Sequence, residues 1–270
     1  GADSFVFSAG AVLTGTLDGQ SGSDTLDLSA LSARTVTLSA LGSADGFNGT
    51  DAVVSGGFAN IDALIGTAGS DTLRGIDQAA TFELDGSNRY LSGTHALAFT
   101  SFENLVGGSA ADTFAFGGTY SFTGTLDGGS GTDRVDYSAY ASAINFNLQS
   151  MTLTGLVGTF SSIEGLVGSA SSADSITAAD SGTTFNMTGV ASGTLSSGFT
   201  FASIENLVGG AGADTLNYSA YPTAVTLDMQ AGTATGLVSF SGIETVIGSA
   251  FSDSILARNA GSSFPSAGTH

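Results

Sequence analysis

The chain has 270 residues, of which 41% are hydrophobic and 40 are glycine, a composition too apolar for a disordered glycine- and serine-rich tract. Its 24 acidic residues outnumber 5 arginines, lysine is absent, and the net charge of −19 argues against nucleic acid and anionic membranes as partners. The absence of cysteine excludes disulfides and thiol chemistry, and without a run of 18 apolar residues no membrane span is predicted.

From the first residues onward, an aspartate recurs that follows a small-residue turn and precedes a short apolar stretch. We call these residues the station aspartates: Asp3, Asp24, Asp71, Asp112, Asp133, Asp174, Asp214 and Asp253. Successive copies are separated by 21, 47, 41, 21, 41, 40 and 39 residues. Apart from the 47, which indicates an insertion, these gaps are close to one or two units of about 20 residues, a period typical of a solenoid.

A second motif lies shortly before most stations, and consists of an acidic residue in an apolar stretch that ends in glycine. We call these residues the landmark acids: Asp62, Glu103, Glu164, Glu205 and Glu244. The distance to the next station aspartate is 9 residues in four copies and 10 in the other. This constancy predicts one rigid unit made of a short strand, a glycine turn, the aspartate and another short strand.

Short strands dominate the predicted secondary structure. Apolar or alternating stretches of three to five residues are bounded by Gly, Ser, Asp and Asn, as at 4–7, 35–38, 81–84, 144–148 and 224–227. Strands this short are unstable alone, but they can stack coil upon coil. We therefore predict an all-β chain folded as a parallel β-solenoid of about 20 residues per coil. An array of β-sandwiches is the less favoured alternative, because sandwiches lack so short a repeating substructure.

A longer similarity is superimposed on this period. Residues 14–19 match 123–128, and 217–221 match 136–140, which predicts higher-order repeats of about 100 residues. Because the chain opens within a repeat, it is expected to be a processed chain or a segment of a longer one. The predicted organisation is one continuous solenoid over 1–258, with internal repeats 1–108, 109–210 and 211–258, and an irregular tail over 259–270.

Two segments carry a resemblance to a known family. Residues 128–136 and 209–217 fit the nonapeptide G-G-x-G-x-D-x-U-x, the signature of haemolysin-type (RTX) calcium-binding repeats. The family's repeats run in tandem, whereas the nonapeptides on either side of 128–136 do not fit the signature. The chain therefore resembles the degenerate RTX-like repeats of very large bacterial surface proteins and adhesins. This resemblance implies a protein that is extracellular or on the bacterial cell surface.

The resemblance also implies calcium, held by aspartate carboxylates and backbone carbonyls between neighbouring turns. The station aspartates expected as metal ligands are Asp3, Asp24, Asp112, Asp133 and Asp214. Of these, Asp3 with Asp24 and Asp112 with Asp133 are each separated by one predicted coil, and are the best pairs to share an ion. The competing interpretation is that each aspartate caps a turn by accepting hydrogen bonds from its own backbone.

The main functional hypothesis is a non-enzymatic extracellular structural protein, a surface adhesin, matrix or fibre-forming module. Its expected partners are copies of itself, stacked head to tail through β-strands, or neighbouring repeats of a longer chain. The second hypothesis is a calcium-responsive module that binds carbohydrate, such as a surface polysaccharide, or another surface.

A polysaccharide-active β-helix enzyme is the third hypothesis. It requires a carboxylate cluster that does not repeat, and the long gap after Asp24 offers one around Asp45, Asp51 and Asp62. Against catalysis, the landmark acids recur, whereas catalytic residues normally occur once. With two histidines and no lysine, the chain also lacks the usual bases.

Overall fold

The structure is a computed structural model that describes residues 1–257, in which β-strands are joined by turns and no helix is present. The described residues accordingly contain no helix that is long and apolar enough to cross a membrane. The chain divides into two compact units, one of residues 1–135 and 155–163, the other of residues 136–154 and 164 onward.

The strands of the first unit are β1 (Ser4–Val6), β2 (Leu17–Asp18), β3 (Thr25–Asp27), β4 (Thr35–Leu41), β5 (Phe47–Asp51), β6 (Val54–Ile61), β7 (Ala63–Ile65), β8 (Thr72–Arg74), β9 (Thr81–Leu84), β10 (Arg89–Ser92), β11 (His95–Thr100), β12 (Asn104–Val106), β13 (Thr113–Gly118), β14 (Phe122–Asp127) and β18 (Leu156–Ser161). Strand β15 (Arg134–Tyr140) begins in the first unit and ends in the second.

The strands of the second unit are β16 (Asn145–Asn147), β17 (Thr152–Leu153), β19 (Gly165–Val167), β20 (Ser175–Thr177), β21 (Thr184–Gly189), β22 (Ser192–Leu195), β23 (Thr200–Ala202), β24 (Asn206–Val208), β25 (Thr215–Asn217), β26 (Thr226–Asp228), β27 (Thr233–Ala234), β28 (Ser239–Ser241), β29 (Thr245–Ile247) and β30 (Ser254–Leu256).

In the first unit, parallel strands stack so that the apolar residue at the centre of each short strand lies over its counterpart. Leu26 of β3 pairs with Leu64 of β7, which pairs with Phe99 of β11. A second ladder runs from β4 through β8, β12 and β14 to β18, and Leu73 and Leu105 lie at its centre. All five of these side chains are buried, so the ladders themselves form the core.

The second unit repeats this construction. Phe146, Ile176, Leu207 and Phe240 follow one another through the parallel strands β16, β20, β24 and β28. Their flanking residues face outward, which gives each three-residue strand one buried position between two more exposed ones. The predicted all-β class and the parallel pairing are therefore confirmed.

The sequence spacing of the parallel neighbours differs from the prediction. Ser4 pairs with Thr25 and Asn104 with Thr125, one predicted coil further along in both cases. Other parallel neighbours are considerably further apart in sequence, such as β2 and β6 or β26 and β30, so the predicted uniform coil length was wrong. The added length forms antiparallel excursions, such as β9–β10–β11, β16–β17 and β21–β22–β23. The long gap after Asp24 contains another such excursion, β4–β5–β6, in which β4 and β6 have 7 and 8 residues.

The division into two compact units leaves the predicted single solenoid over 1–258 and its three internal repeats as a prediction. The predicted irregular tail, 259–270, lies outside the described residues.

Close stacking of glycines in the first unit gives a test of the ladder. Gly124 of β14 pairs with Gly158 of β18, and a Cβ atom at Gly158 would lie 1.8 Å from the carbonyl oxygen of Gly124. Gly158→Ala should therefore lower the free energy of unfolding by about 3 kcal/mol, because the strands must separate. The control is Gly118→Ala, where φ is +58° but no atom of a non-neighbouring residue lies within 4 Å of the added Cβ atom. It should cost about 1 kcal/mol of backbone strain. Equal losses in urea unfolding would contradict the stacking argument.

Candidate functional site

Most of the station aspartates are fully buried. Exposure is 1% or less for Asp24, Asp71, Asp112, Asp133, Asp174 and Asp214. Asp3 is exposed and Asp253 is half-buried. A buried carboxylate is costly unless hydrogen bonds or a cation compensate its charge, so the partners of these groups define what the stations do.

At most stations, the two carboxylate oxygens accept hydrogen bonds from two different turns. Oδ1 of Asp112 accepts from the N–H of Ala80, 32 residues earlier, at 2.9 Å, and Oδ2 accepts from the N–H of Gly108, 4 residues earlier, at 2.7 Å. The same pair of bonds recurs at Asp71, Asp174, Asp214 and Asp253. The aspartate thus caps its own turn, as the competing interpretation expected, and also ties that turn to an earlier one.

Three of the five landmark acids complete this arrangement. Oε2 of Glu103 accepts the N–H of Asp71 at 2.9 Å, and Oε2 of Glu244 accepts the N–H of Asp214 at 2.9 Å. Asp62, the shorter acid of the same motif, accepts the N–H of Asp24 with Oδ2 at 3.0 Å. Each of these landmark acids therefore holds the backbone of the preceding station.

The five residues predicted as calcium ligands occupy three different settings. The exposed Asp3 donates its N–H to Oδ1 of Asp24 at 2.8 Å, and Asp112 donates its N–H to Oδ1 of Asp133 at 2.6 Å. The structure thus brings the two predicted pairs together through the backbone of one member and the carboxylate of the other. Asp214 is held by Thr183 N–H at 2.7 Å and by its own turn. Direct binding of calcium by these five side chains stays a prediction.

A cluster of three carboxylates forms at a place that the repeat did not indicate. Asp24, Asp45 and Asp62 each turn one oxygen toward the others, and these oxygens lie within 4.8 Å of one another. The long gap between stations predicts a grouping of Asp45 and Asp62 with Asp51. That grouping was wrong in one member, because Asp51 is buried against the guanidinium of Arg34. The repeat marks Asp24 as a station but does not connect it with the hairpin, since the pairing of β4 and β5 leaves no trace in the repeat.

Burial is the largest influence on the pKa values of Asp112 and Asp62. It raises the pKa of Asp112 to about 6, against the lowering effect of the Gly108 and Ala80 N–H groups. It also raises the pKa of Asp62, and the neighbouring carboxylates of Asp45 and Asp24 add to that rise. Both shifts arise chiefly from burial, which disfavours the charged form of a carboxyl group.

Calcium fits the donors present. Carboxylate oxygens are the ligands that this cation prefers. Oδ2 of Asp24 is buried and has no hydrogen-bond partner among the described residues, so it is an oxygen whose charge a cation would neutralise. The residues able to hold the ion at this place are Asp24, Asp45 and Asp62.

Comparison with known proteins identifies the repeat. Residues 56–75 and 200–217 match the model of the RTX calcium-binding nonapeptide repeat, in four copies. The matched segments contain the stations Asp71 and Asp214 and the turns that precede them. No curated protein matches the chain. The chain thus carries RTX-type repeats, as the motif predicted, and calcium is the ion that such repeats bind.

Replacing a bridging carboxylate by its amide tests the capping role. In Asp112→Asn, the amide N–H₂ must face one of the two N–H donors, Ala80 or Gly108, so that a buried donor loses its acceptor. We expect a loss of about 1–3 kcal/mol in the free energy of unfolding, measured by urea denaturation in chelator. Asp3→Asn, at an exposed station, should change it by less than about 0.5 kcal/mol. Similar losses in the two variants would refute the capping role.

Proposed function

We propose that this chain is a non-enzymatic structural module of an extracellular bacterial protein, a surface adhesin, matrix or fibre component. Within each unit its strands stack as a parallel β-solenoid of uneven coil length, and calcium stabilises the turns. The RTX-type repeats support the calcium and the extracellular location, because such repeats are typically secreted, non-catalytic and calcium-binding. The adhesin or fibre role goes beyond what the repeats alone imply.

The proposal is carried by the hydrogen bonds that the acidic side chains accept from the backbone. A catalytic carboxylate must keep an oxygen free for the substrate or its protons. Here the acids at successive turns, among them Asp71, Asp112, Glu103 and Glu244, have oxygens bonded to backbone N–H groups. These repeated acids hold coils together, which is the task of a structural module.

Exposed strand edges support assembly with further strands. Strand β1 ends the order of its sheet and pairs along one side with β3. Its other edge offers backbone N–H and C=O groups that a further parallel strand could pair with. We propose that this partner is either a neighbouring repeat of a longer chain or a second copy of the module, stacked head to tail.

A calcium-responsive binding module is the second candidate, favoured by the three-carboxylate cluster of Asp24, Asp45 and Asp62. In that case calcium would order a surface, including one for polysaccharide, rather than only stabilise the stack. The two candidates share the prediction of calcium-dependent stability and differ in whether a ligand binds.

Calcium removal tests the proposal directly. Calcium that binds only the folded chain stabilises it by about 2.7 kcal/mol at one hundred times its dissociation constant. We therefore expect the melting temperature, measured by calorimetry in EDTA, to rise when excess CaCl₂ is added, and to rise much less with MgCl₂. An unchanged melting temperature would show that bound calcium is not structural.

Head-to-tail assembly is tested at the exposed edge of β1. Val6 is 64% exposed on this strand, and Val6→Lys places a charge there without disturbing the core. If copies stack through β1, light scattering and electron microscopy should show end-to-end oligomers at high concentration for the unaltered chain and few for this variant. Val190→Lys, also exposed but in the turn between β21 and β22, is the matched control and should still assemble. Monomers in every sample would contradict assembly.

A further inference from the structure

We propose that Asp24, Asp45 and Asp62 together bind one Ca²⁺, which fastens the turn of the β4–β5 hairpin to the turn that precedes β3. The site differs from ligation between consecutive nonapeptides, because two of its three acids lie outside the station positions. The proposal rests on the proposed function only for the identity of the ion, since the cluster itself follows from the geometry.

Three separate segments supply the ligands. Asp24 ends the turn before β3, Asp45 lies in the turn that joins β4 to β5, and Asp62 stands between β6 and β7. One oxygen from each lies within 4.8 Å of the other two. Two oxygens bound to the same Ca²⁺ at 2.3–2.6 Å lie at most about 5 Å apart, so each pair of these oxygens is close enough to share one ion.

Asp24 lacks a hydrogen bond that four other buried stations have. At Asp112 the second oxygen is capped by the N–H four residues earlier, that of Gly108. The corresponding donor for Asp24 is Gln20, whose N–H bonds instead to Oδ1 of Asp18 at 2.9 Å. As a result, Oδ2 of Asp24 has no hydrogen-bond partner in the described part of the chain, although the side chain is fully buried.

Asp45 contributes a second buried carboxylate oxygen that lacks a hydrogen-bond partner among the described residues. Its Oδ2 accepts the N–H of Gly22 at 2.9 Å, which fixes the carboxylate beside the turn of Asp24. Its Oδ1 is buried and without a hydrogen-bond partner among residues 1–257. Two neighbouring carboxylates therefore each bury an uncompensated oxygen, an arrangement that is costly unless a cation lies between them.

The two arginines whose ion pairs the structure describes do not supply that cation. Arg34 is engaged with Asp51, and Arg89 with Glu83 at 2.5 Å. His95 is the basic residue whose charge acts on Asp62. A single histidine carries at most one positive charge, which is insufficient for three carboxylates. A divalent ion would supply the missing positive charge.

The hairpin turn is held in place independently of any ion. Oδ1 of Asn60 accepts the N–H of Ala44 at 3.0 Å, and Nδ2 of Asn60 donates to Oδ1 of Asp18 at 2.7 Å. Gly42 N–H also bonds across the turn to the carbonyl oxygen of Gly46 at 3.0 Å. The three acids are thus brought together before an ion binds, which reduces the ordering that binding requires.

The decisive variant is Asp45→Asn, compared with the unaltered chain and with Asp85→Asn. The amide keeps an oxygen for Gly22 N–H and removes one charge. Asp85 is exposed and likewise accepts one backbone N–H, that of Ser87 at 2.8 Å, so it matches the charge change and the hydrogen bond. Calcium stoichiometry is measured by isothermal titration with CaCl₂, and melting temperature is measured in EDTA and in excess CaCl₂, with MgCl₂ as the competing ion.

We expect Asp45→Asn to bind one calcium fewer per chain and to lose several degrees of the calcium-induced rise in melting temperature. In EDTA it should melt at or above the temperature of the unaltered chain, because one of three mutually repelling charges is gone. Asp85→Asn should behave as the unaltered chain does. A purely structural Asp45 would instead lower the melting temperature equally with and without calcium, which would overturn the proposal.

The outcomes separate this site from calcium binding at the repeats. If Asp45→Asn binds as many calcium ions as the unaltered chain, the cluster is not a site, although the repeats still bind calcium. If the variant binds one fewer but retains others, both proposals stand.

Amide NMR of the unaltered chain gives an answer independent of any variant. Calcium should shift the signals of Gly22 and Asp45, and shifts confined to other turns would overturn the proposal.

Discussion

The structure depends on one interaction, the buried carboxylate that accepts backbone N–H groups from two turns at once. A turn leaves N–H donors that no strand can satisfy, and burying them without an acceptor is costly. Asp112 satisfies one donor of its own turn and one of an earlier turn with the same side chain. Stacking therefore proceeds without loss of hydrogen bonds at the corners, and the apolar centres of the strands can be buried in ladders.

This interaction also allows the coils to vary in length. The two ends of a coil are fixed, one by a station aspartate and the other by a landmark acid, but the chain between them can differ in length. Antiparallel strands such as β10 and β22 fill the longer intervals without disturbing the parallel register on either side. A different hydrogen bond spans the hairpins β16–β17 and β26–β27, where Tyr137 and Tyr218 each donate a hydroxyl hydrogen bond to a carbonyl oxygen 17 residues further along. Fixed corners with variable spans explain why the aspartate recurs more regularly than the strands.

The sequence was sufficient to predict what repeats and insufficient to predict what does not. The spacing of the station aspartates indicated short strands in parallel, and the nonapeptide at 209–217 indicated RTX-type repeats. The coil length could not be derived, because the longer gaps between stations fit two short coils as well as one coil with an antiparallel excursion. Likewise the long gap predicted Asp45 beside Asp51 and Asp62 but not beside Asp24, since the approach of the β4–β5 turn to the turn before β3 is a contact between distant positions.

Hydrogen bonds from backbone N–H groups and bound calcium are two ways to compensate the charge of a buried carboxylate. In tandem repeats a cation neutralises the carboxylates that adjoining turns present to each other. In this chain the carboxylates of most stations are stabilised by hydrogen bonds from N–H donors, as Asp214 is by Thr183 and Gly210. Where a turn loses its donor, the requirement for positive charge returns. At Asp24 the missing donor coincides with two further acids, a combination that a bound cation would stabilise. Degeneration of the repeat therefore need not abolish calcium binding, because it can concentrate binding where capping fails.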